Sequence, residues 1–183
     1  MSRRKDWAAV AAERSTLADL LEGLAESEWA VHSLCPGWRV RDVAAHLTAS
    51  TDDRSTDQLV ADLRAPVPGP GLHLGGSPRD ALVEVLVHGQ DIARPLGRER
   101  PMDPALATVA ARRVWSARPF RASKHYPGVR FEATDTGLVL GDGTPVSGPA
   151  AAVLLALTGR VAGLDELSGH GSGLLQRAFT RQT

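Results

Sequence analysis

Two histidines and one glutamate are the residues of this chain whose types and spacing best fit metal chemistry. His46 follows the segment Trp38–Ala45, and Glu84 and His88 lie four positions apart later in the chain. On a helix, residues four apart share one face a single turn apart. Two imidazoles and a carboxylate are a common ligand set for catalytic zinc, with a fourth position left for water or substrate. The set therefore predicts a metal site, although the E-x3-H spacing alone is short enough to occur by chance.

Each of these residues also has an ordinary structural interpretation. His88 fits a partly exposed helix histidine, Glu84 a solvated helix glutamate, and His46 a histidine at the rim of a helical bundle. Asp91 follows His88 by three positions and could accept the second ring N–H of a metal-bound histidine, which would orient the ring. It could equally pair with Arg94. Spacing alone leaves these alternatives open.

Two residues that precede His46, Cys35 and Trp38, are expected to have structural roles. Trp38 fits a core residue or a hydrophobic staple at the start of a helix, and Cys35 fits a small buried apolar side chain. As a nucleophile, Cys35 would need a lowered pKa from a nearby cation or helix N-terminus, which a sequence does not reveal. The other histidines have no partner at ligand spacing and are expected at the surface: His32, His73, His125 and His170.

The elements that must position these side chains are helices. Periodic apolar residues and helix-start signals, such as Ser77-Pro78 and Asp103-Pro104, predict four helices with one Pro/Gly-rich connector at 65–71. A further helical stretch is possible at 54–63. The four expected helices span about 5–27, 39–52, 77–94 and 103–118. Such a set favours a four-helix bundle, a fold that builds sites from side chains on facing helices.

The second part of the chain has a different texture. Val129–Ala133 and Leu138–Leu140, separated by a turn, predict a β-hairpin, and an apolar helix is expected at Ala151–Leu157. We therefore expect a mainly α protein, in which a four-helix bundle over residues 1–120 precedes a small α+β domain over residues 126–183.

Composition excludes several classes of function. The 183 residues are 43% hydrophobic and 23% charged, and 21 basic residues balance 21 acidic ones. Nothing in this balance favours nucleic acid or an anionic membrane as a partner. Cys35 is the only cysteine, so an internal disulfide is excluded. No secretory signal, apolar span or G-x-S-x-G nucleophile elbow is evident, and we expect a cytoplasmic protein. The oligomeric state is left open.

Longer motifs around the three residues resemble a known family, that of mycothiol-dependent maleylpyruvate isomerase, within the DinB-like metal-binding four-helix bundles. The resemblance covers nearly the whole chain and includes the family's small second domain. The first motif is Cys35-Pro36-Gly37-Trp38-x-Val40-x-Asp42-Val43-x-x-His46-Leu47. The second is Glu84-x3-His88-Gly89-x-Asp91-Ile92-Ala93-x-x-Leu96-Gly97. The C-terminal part contributes Phe131-Glu132-Ala133, Gly141-Asp142-Gly143, Val146-x-Gly148-Pro149-Ala150 and Leu157-Thr158-Gly159-Arg160.

The resemblance implies a divalent metal, usually zinc, held by His46, Glu84 and His88. It also implies mycothiol, the low-molecular-weight thiol of actinobacteria, as the cosubstrate for isomerisation or thiol transfer on a small electrophilic, anionic substrate. A metal-coordinated thiol is deprotonated and becomes a nucleophile at neutral pH. The family's second domain contributes an arginine, for which Arg160 is the candidate, and it could pair with a substrate carboxylate. Alternatively, Arg160 fits an arginine at the protein surface or at the end of a helix, with no role toward a substrate.

The chain departs from the family in one respect. Glu84 follows His46 by only 38 positions, whereas typical members carry a much longer connection that would line or cover the metal pocket. Two alternatives therefore stay beside the thiol-dependent enzyme. One is a metal-dependent hydrolase without a thiol, in which bound water is the nucleophile, and the other is a non-catalytic metal- or ligand-binding module.

Overall fold

The computed structural model describes residues 3–50, 53–66, 77–118 and 120–180. The chain divides into two compact units, an N-terminal unit of Met1–Pro101 and a C-terminal unit of Met102–Thr183. All three residues of the expected ligand set belong to the N-terminal unit. The connector expected at 65–71 and the end of the second expected helix fall partly outside the described residues.

The N-terminal unit is a four-helix bundle, as the expected fold class requires. Its helices are α1 (Arg3–Glu22), α2 (Val40–Thr48), α3 (Thr56–Arg64) and α4 (Pro78–Ala93). Helix α1 packs against α3 and α4, and α2 packs against the same two helices. A short 3₁₀ helix, Glu26–Ala30, follows α1.

Helix α4 begins where its sequence predicts. The Ser77 side chain accepts a hydrogen bond from the backbone N–H of Asp80, and Pro78 occupies the first turn. This satisfies a backbone donor that a helix start otherwise leaves without an intrahelical partner. Helix α2 ends at Ala49, which adopts a left-handed conformation with φ of 53°. Left-handed backbone costs a residue with a Cβ about 1–2 kcal/mol, so α2 stops here under some strain.

The fourth helix of the bundle is α3, and not the helix that follows Asp103. Leu59, Val60 and Leu63 give α3 a buried apolar face. Helix α5 (Pro104–Ser116) belongs instead to the C-terminal unit, where it packs against α6 (Ala150–Leu157). The two units accordingly divide before α5, whereas the sequence placed the boundary near residue 120. The strongly apolar α6 provides the surface on which the small side chains of α5 pack.

The C-terminal unit holds a three-stranded sheet in the order β2-β1-β3. Strand β1 (Val129–Ala133) pairs antiparallel with β2 (Val139–Leu140), which confirms the expected hairpin, and parallel with β3 (Thr144–Gly148). Strand β3 and helix α7 (Ser172–Thr180) were not expected from the sequence. Among the described residues, no helix is both long and apolar enough to cross a membrane.

Candidate metal centre

Two helices of the bundle bring the three expected ligands together. The Oε2 atom of Glu84 lies 3.3 Å from Nε2 of His46 and 3.1 Å from Nε2 of His88. The two imidazole rings meet nearly edge to face, with centroids 5.1 Å apart. One potential ligand atom from each residue lies within 4.8 Å of the others. Residues that are 38 positions apart in sequence therefore share one site.

The separations fit the geometry of a tetrahedral zinc site. Zinc binds imidazole nitrogen and carboxylate oxygen at about 2.0–2.2 Å, so neighbouring ligand atoms of a tetrahedral site lie about 3.3–3.6 Å apart. The two measured distances from the Glu84 oxygen, 3.3 Å and 3.1 Å, are close to this range. The donor set of two nitrogens and one oxygen also suits zinc and leaves one tetrahedral position open. The residues present fit the metal that the family resemblance implies.

The buried setting of α4 holds Glu84 and His88 in place. Only a few residues of this helix are not buried, and Glu84 and His88 are among them. Beside His88, Gly89 makes room for the guanidinium of Arg100, which occupies the space that a Cβ would need. The Arg100 guanidinium is itself fixed by Glu13 of α1, with a closest nitrogen–oxygen distance of 2.8 Å. A side chain on Gly89 would have to displace this ion pair.

Buried Arg14 of α1 fixes the end of α2 that carries His46. Its Nη1 donates to the carbonyl oxygen of Leu47 at 2.7 Å, and its Nη2 donates to that of Asp62 in α3 at 2.9 Å. A buried arginine gains from such bonds because they replace its contacts with water. Arg14 thus ties the last turn of α2 to α1 and α3.

Asp91 contacts His88 as expected for an orienting carboxylate. Its Oδ2 atom lies 2.9 Å from Nδ1 of His88, and its side chain is fully buried. A carboxylate at this place keeps a proton on Nδ1, so Nε2, which faces Glu84, is the nitrogen that loses its proton and can bind a metal when the ring becomes neutral. This is the arrangement that a metal-binding histidine requires.

The titration of the site reflects these contacts. Burial alone would lower the pKa of His88, but hydrogen bonds to Asp91, Cys35 and Glu84, together with the negative charge of Glu84, raise it to about 11. Burial alone would raise the pKa of Glu84, but hydrogen bonds and charge interactions with His46 and His88 lower it to about 2. The metal-free site therefore holds Glu84 as a carboxylate and His88 as an imidazolium over a wide pH range.

Cys35 is part of the site, which corrects the expectation of a buried apolar side chain. Its Sγ atom donates to Oδ2 of Asp91 at 3.2 Å and lies 3.6 Å from Nδ1 of His88. The side chain is only partly buried. Cys35, His88 and Asp91 also form a second group whose potential ligand atoms lie within 4.8 Å of one another.

Trp38 is not a core residue, and its other expected role, as a hydrophobic staple at the start of α2, stays a prediction. It is 38% exposed, and its ring contacts that of His46 edge to face, with centroids 5.2 Å apart. The sequence carried one signal for both residues, since Cys35 and Trp38 flank a Pro-Gly pair directly before the helix of His46. Such a pair favours a tight turn that brings its two flanking residues together.

The remaining residues considered from the sequence lie elsewhere. Arg160 belongs to the C-terminal unit, just before the 3₁₀ helix Val161–Glu166, and its Nη1 donates to the carbonyl oxygen of Thr158 at 2.7 Å. Its role toward a substrate stays a prediction. His32, His125 and His170 are exposed, as expected. His73 lies outside the described residues.

A comparison with protein families bears on this site. Residues 10–68 match the family model of the mycothiol maleylpyruvate isomerase N-terminal domain. This match confirms the resemblance for the segment that carries the first motif. The matched segment contains Cys35, Trp38 and His46 but ends before Glu84 and His88, so the metal site extends beyond it.

Two solved structures share the fold of this chain. The chain is similar to the crystal structure of the mycothiol-dependent maleylpyruvate isomerase, with a TM-score of 0.53, 12% identity and 94% coverage of each chain. A crystal structure of a histidine-to-alanine variant of that isomerase gives a TM-score of 0.55 at 13% identity, again with 94% coverage of each chain. At this identity the likeness shows the fold. No curated protein sequence matches the chain.

Proposed function

We propose that this protein is a metal-dependent enzyme that uses a low-molecular-weight thiol, mycothiol, to act on a small electrophilic and anionic substrate. The reaction class is isomerisation or thiol transfer. The observation that carries the proposal is the convergence of His46, Glu84 and His88 from two helices at ligand distances, with Asp91 behind His88. The family match over residues 10–68 supports the choice of thiol.

In this proposal His46, Glu84 and His88 hold a divalent metal, most simply Zn²⁺. The bound metal would lower the pKa of a thiol at the open fourth position, so that the thiol is a thiolate at neutral pH. Asp91 accepts the Nδ1 proton of His88 and so keeps Nε2 available as a ligand. Glu84 supplies the negative charge that partly balances the cation.

The thiol chemistry needs no redox partner. Addition of the thiolate sulfur to a conjugated double bond forms a carbon–sulfur bond and breaks the π bond. Rotation about the resulting single bond and expulsion of the thiolate then restore the double bond in the other geometry. The thiol is regenerated, and substrate and product are isomers. If the adduct is protonated and released instead, the net reaction is thiol transfer.

Arg160 is proposed to bind the anionic group of the substrate. Guanidinium groups bind carboxylates through two parallel hydrogen bonds, which fixes the orientation of the carboxylate as well as its charge. The support for this role is the arginine that the resembled family contributes from its second domain. Arg160→Lys, which keeps the charge but loses the forked geometry, should raise KM for a carboxylate substrate and leave metal content unchanged.

Metal content tests whether His46, Glu84 and His88 bind a metal. Elemental analysis of the purified wild-type protein should find about one divalent metal per chain, and the His46→Ala/His88→Ala variant should lose it. His32→Ala is a matched control, because His32 is an exposed histidine of the same unit and belongs to neither candidate ligand group. A folded wild type that is metal-free and cannot be reloaded with Zn²⁺ or another divalent ion would contradict the proposal.

Enzyme activity tests whether the protein uses a thiol. The metal-loaded protein should isomerise maleylpyruvate in the presence of mycothiol, and the rate should fall to background without the thiol or in the ligand double variant. Turnover that is independent of thiol, for example of a chromogenic ester, would point to a hydrolase. Stoichiometric metal without protection of mycothiol from alkylation would point to a binding module.

A further inference from the structure

The segment before α2 is a tight turn of defined type. The backbone N–H of Trp38 donates to the carbonyl oxygen of Cys35 at 3.0 Å, which closes a four-residue turn over Pro36 and Gly37. Gly37 has a φ of +80°. Proline at the second position and a glycine with positive φ at the third are the signature of a type II turn. Residues 35–38 are called the Cys-Trp turn below.

The Cys-Trp turn is anchored to the helix that carries His88. The backbone N–H of Leu34 donates to the carbonyl oxygen of Asp91 at 3.1 Å. The Ser33 hydroxyl donates to the carbonyl oxygen of Trp38 at 2.9 Å and accepts from the backbone N–H of Cys35 at 3.1 Å. These bonds fix both ends of the turn and place it beside the last turns of α4.

Each end of the turn contacts one of the two candidate histidine ligands. At the first end, Cys35 donates from Sγ to the same Asp91 oxygen that binds Nδ1 of His88. At the other end, the Trp38 ring packs edge to face against His46. The two histidines lie on different helices, and the turn is in contact with the surroundings of both.

We propose that the Cys-Trp turn is a clip that sets the orientation of both histidine ligands. Cys35 acts through Asp91 on His88, and Trp38 acts directly on the ring of His46, so both are positioning residues. This inference rests on the proposed metal site and goes beyond it, because it assigns a role to two residues that hold no metal.

The geometry places the Cys35 thiol outside the metal coordination sphere. Its Sγ atom faces Nδ1 of His88, whereas Nε2 on the other side of the ring faces Glu84. The imidazole therefore separates the thiol from the metal position. A metal bound by Cys35, His88 and Asp91 instead would have to displace the thiol and imidazole protons that face Asp91 Oδ2.

Cobalt binding tests the clip, because Co²⁺ replaces Zn²⁺ and reports its ligand field in the visible spectrum. Cys35→Ala and Trp38→Leu should each weaken Co²⁺ binding by roughly 10-fold, the lower end of the loss for changes outside the ligand shell. Both should also shift the visible bands. Cys35→Ser and Trp38→Phe, which keep a donor and a ring, should restore most of the affinity. His32→Ala, exposed on the same loop, should match wild type.

Several results would overturn the clip. If folded Cys35→Ala and Trp38→Leu both bind Co²⁺ with the affinity and visible spectrum of wild type, the clip is overturned and the proposed metal site is not. A sulfur-to-cobalt charge-transfer band in wild type that Cys35→Ala abolishes would make Cys35 a ligand, and so contradict its positioning role. A wild type that binds no Co²⁺ would overturn the proposed metal site and the clip with it.

Alkylation of the folded wild-type protein tests the role of Cys35 without a substitution that could prevent folding. Cys35 is the only cysteine, so iodoacetamide modifies one position. The added group breaks the contact between Sγ and Asp91, and Co²⁺ affinity should fall by about 10-fold or more. Fully alkylated protein with unchanged affinity would contradict the role of Cys35.

Discussion

The two histidines of the candidate site are held in contrasting ways. His88 lies on the long, largely buried helix α4; its side chain is 14% exposed, and fully buried Asp91 binds its far ring nitrogen. His46 lies on the short helix α2, its side chain is 35% exposed, and Trp38 packs against its ring. One ligand is oriented by a charge-assisted hydrogen bond and the other by ring packing at the surface.

This contrast shows that the two histidines of one site are oriented by different kinds of interaction. A buried carboxylate fixes the ring orientation of His88 and keeps a proton on its Nδ1, so its Nε2 already faces Glu84 before a metal binds. Ring packing fixes orientation alone and leaves the side chain of His46 more exposed to water than that of His88. The predictions below test this difference, from the largest expected effect to the smallest.

Loss of either histidine should have the largest effect on metal binding. His46→Ala and His88→Ala should each weaken Zn²⁺ binding by more than the roughly 10- to 100-fold that changes outside the ligand shell cost. The two variants should differ in metal-free stability. His88→Ala removes a hydrogen-bond donor from buried Asp91 and should cost about 1–3 kcal/mol, whereas His46→Ala should cost less than about 1 kcal/mol.

Urea unfolding of the metal-free proteins measures this difference, and a competition titration with a chelating dye measures affinity. Equal stability losses in the two variants would contradict the contrast. His32→Ala serves as the control for both measurements.

Asp91→Asn should have the next largest effect. A neutral amide accepts the Nδ1 proton less strongly than a carboxylate, so Zn²⁺ affinity should fall by about 10- to 100-fold. Asp80→Asn is the matched control, since Asp80 is also buried on α4 but bonds to Ser77 at the helix start. Affinity should be unchanged in Asp80→Asn. Equal affinities in wild type and Asp91→Asn would show that the carboxylate does not orient His88.

The pH dependence should report the proton on His88. The pKa of His88 in the folded protein is near 11. Metal binding near neutral pH must therefore displace one proton, so metal affinity should rise by about tenfold per pH unit.

The same proton affects the stability of the metal-free protein. An unfolded histidine titrates near pH 6.5. The raised pKa therefore stabilises the metal-free fold fully below about pH 6.5, and this stabilisation is lost as the pH rises toward 11. For Glu84, whose pKa is lowered to about 2, the stabilisation is present above about pH 4.5 and is lost as the pH falls toward 2.

Urea unfolding of the metal-free protein at pH 6 and pH 9 checks the sign of the His88 effect. Wild type should lose more stability over this interval than His88→Gln, in which the titrating group is absent. A wild-type stability that falls no more than that of the variant would contradict the assignment.

The smallest effect is expected at the end of α2. Ala49 has a φ of 53°, a conformation that glycine adopts without the penalty of a Cβ. Ala49→Gly should stabilise the fold by about 1 kcal/mol and raise Tm by about 2–4 °C. Metal affinity should change little, because glycine keeps the backbone N–H that donates to the His46 carbonyl and the side-chain contacts of His46 are not altered. A lower Tm in differential scanning calorimetry would show that α2 is not strained at this residue.

Local chemistry predicted much of the fold. Ser77 and Asp103 cap their helices as expected, because short polar side chains at a helix start satisfy backbone donors that have no intrahelical partner. The hairpin of β1 and β2 followed from two apolar runs around a turn. His46, Glu84, His88 and Asp91 were identified as candidate site residues from their types, from the spacing of the last three, and from the resemblance of the surrounding motifs to a known family.

Contacts between distant segments were not predictable in the same way. Helices α3 and α5 both carry apolar faces, and periodicity does not say against which partner each face packs; α3 completes the bundle and α5 packs on α6. The parallel pairing of β3 with β1 likewise depends on chain segments that are not neighbours in sequence. Cys35 was misassigned because its contacts lie on α4, and the contact of Trp38 with the His46 ring was not expected either.

The sequence by itself determined the candidate donor residues, the one-turn spacing of Glu84 and His88 on a helix, and the local signals that start α4 and turn the chain at Pro36-Gly37. These depend on residue type and on short-range backbone geometry. The tertiary structure alone decided that His46 meets Glu84, that Asp91 is fully buried behind His88, and that the Cys-Trp turn contacts both histidines. Those outcomes follow from packing and desolvation among four helices, which no local pattern encodes.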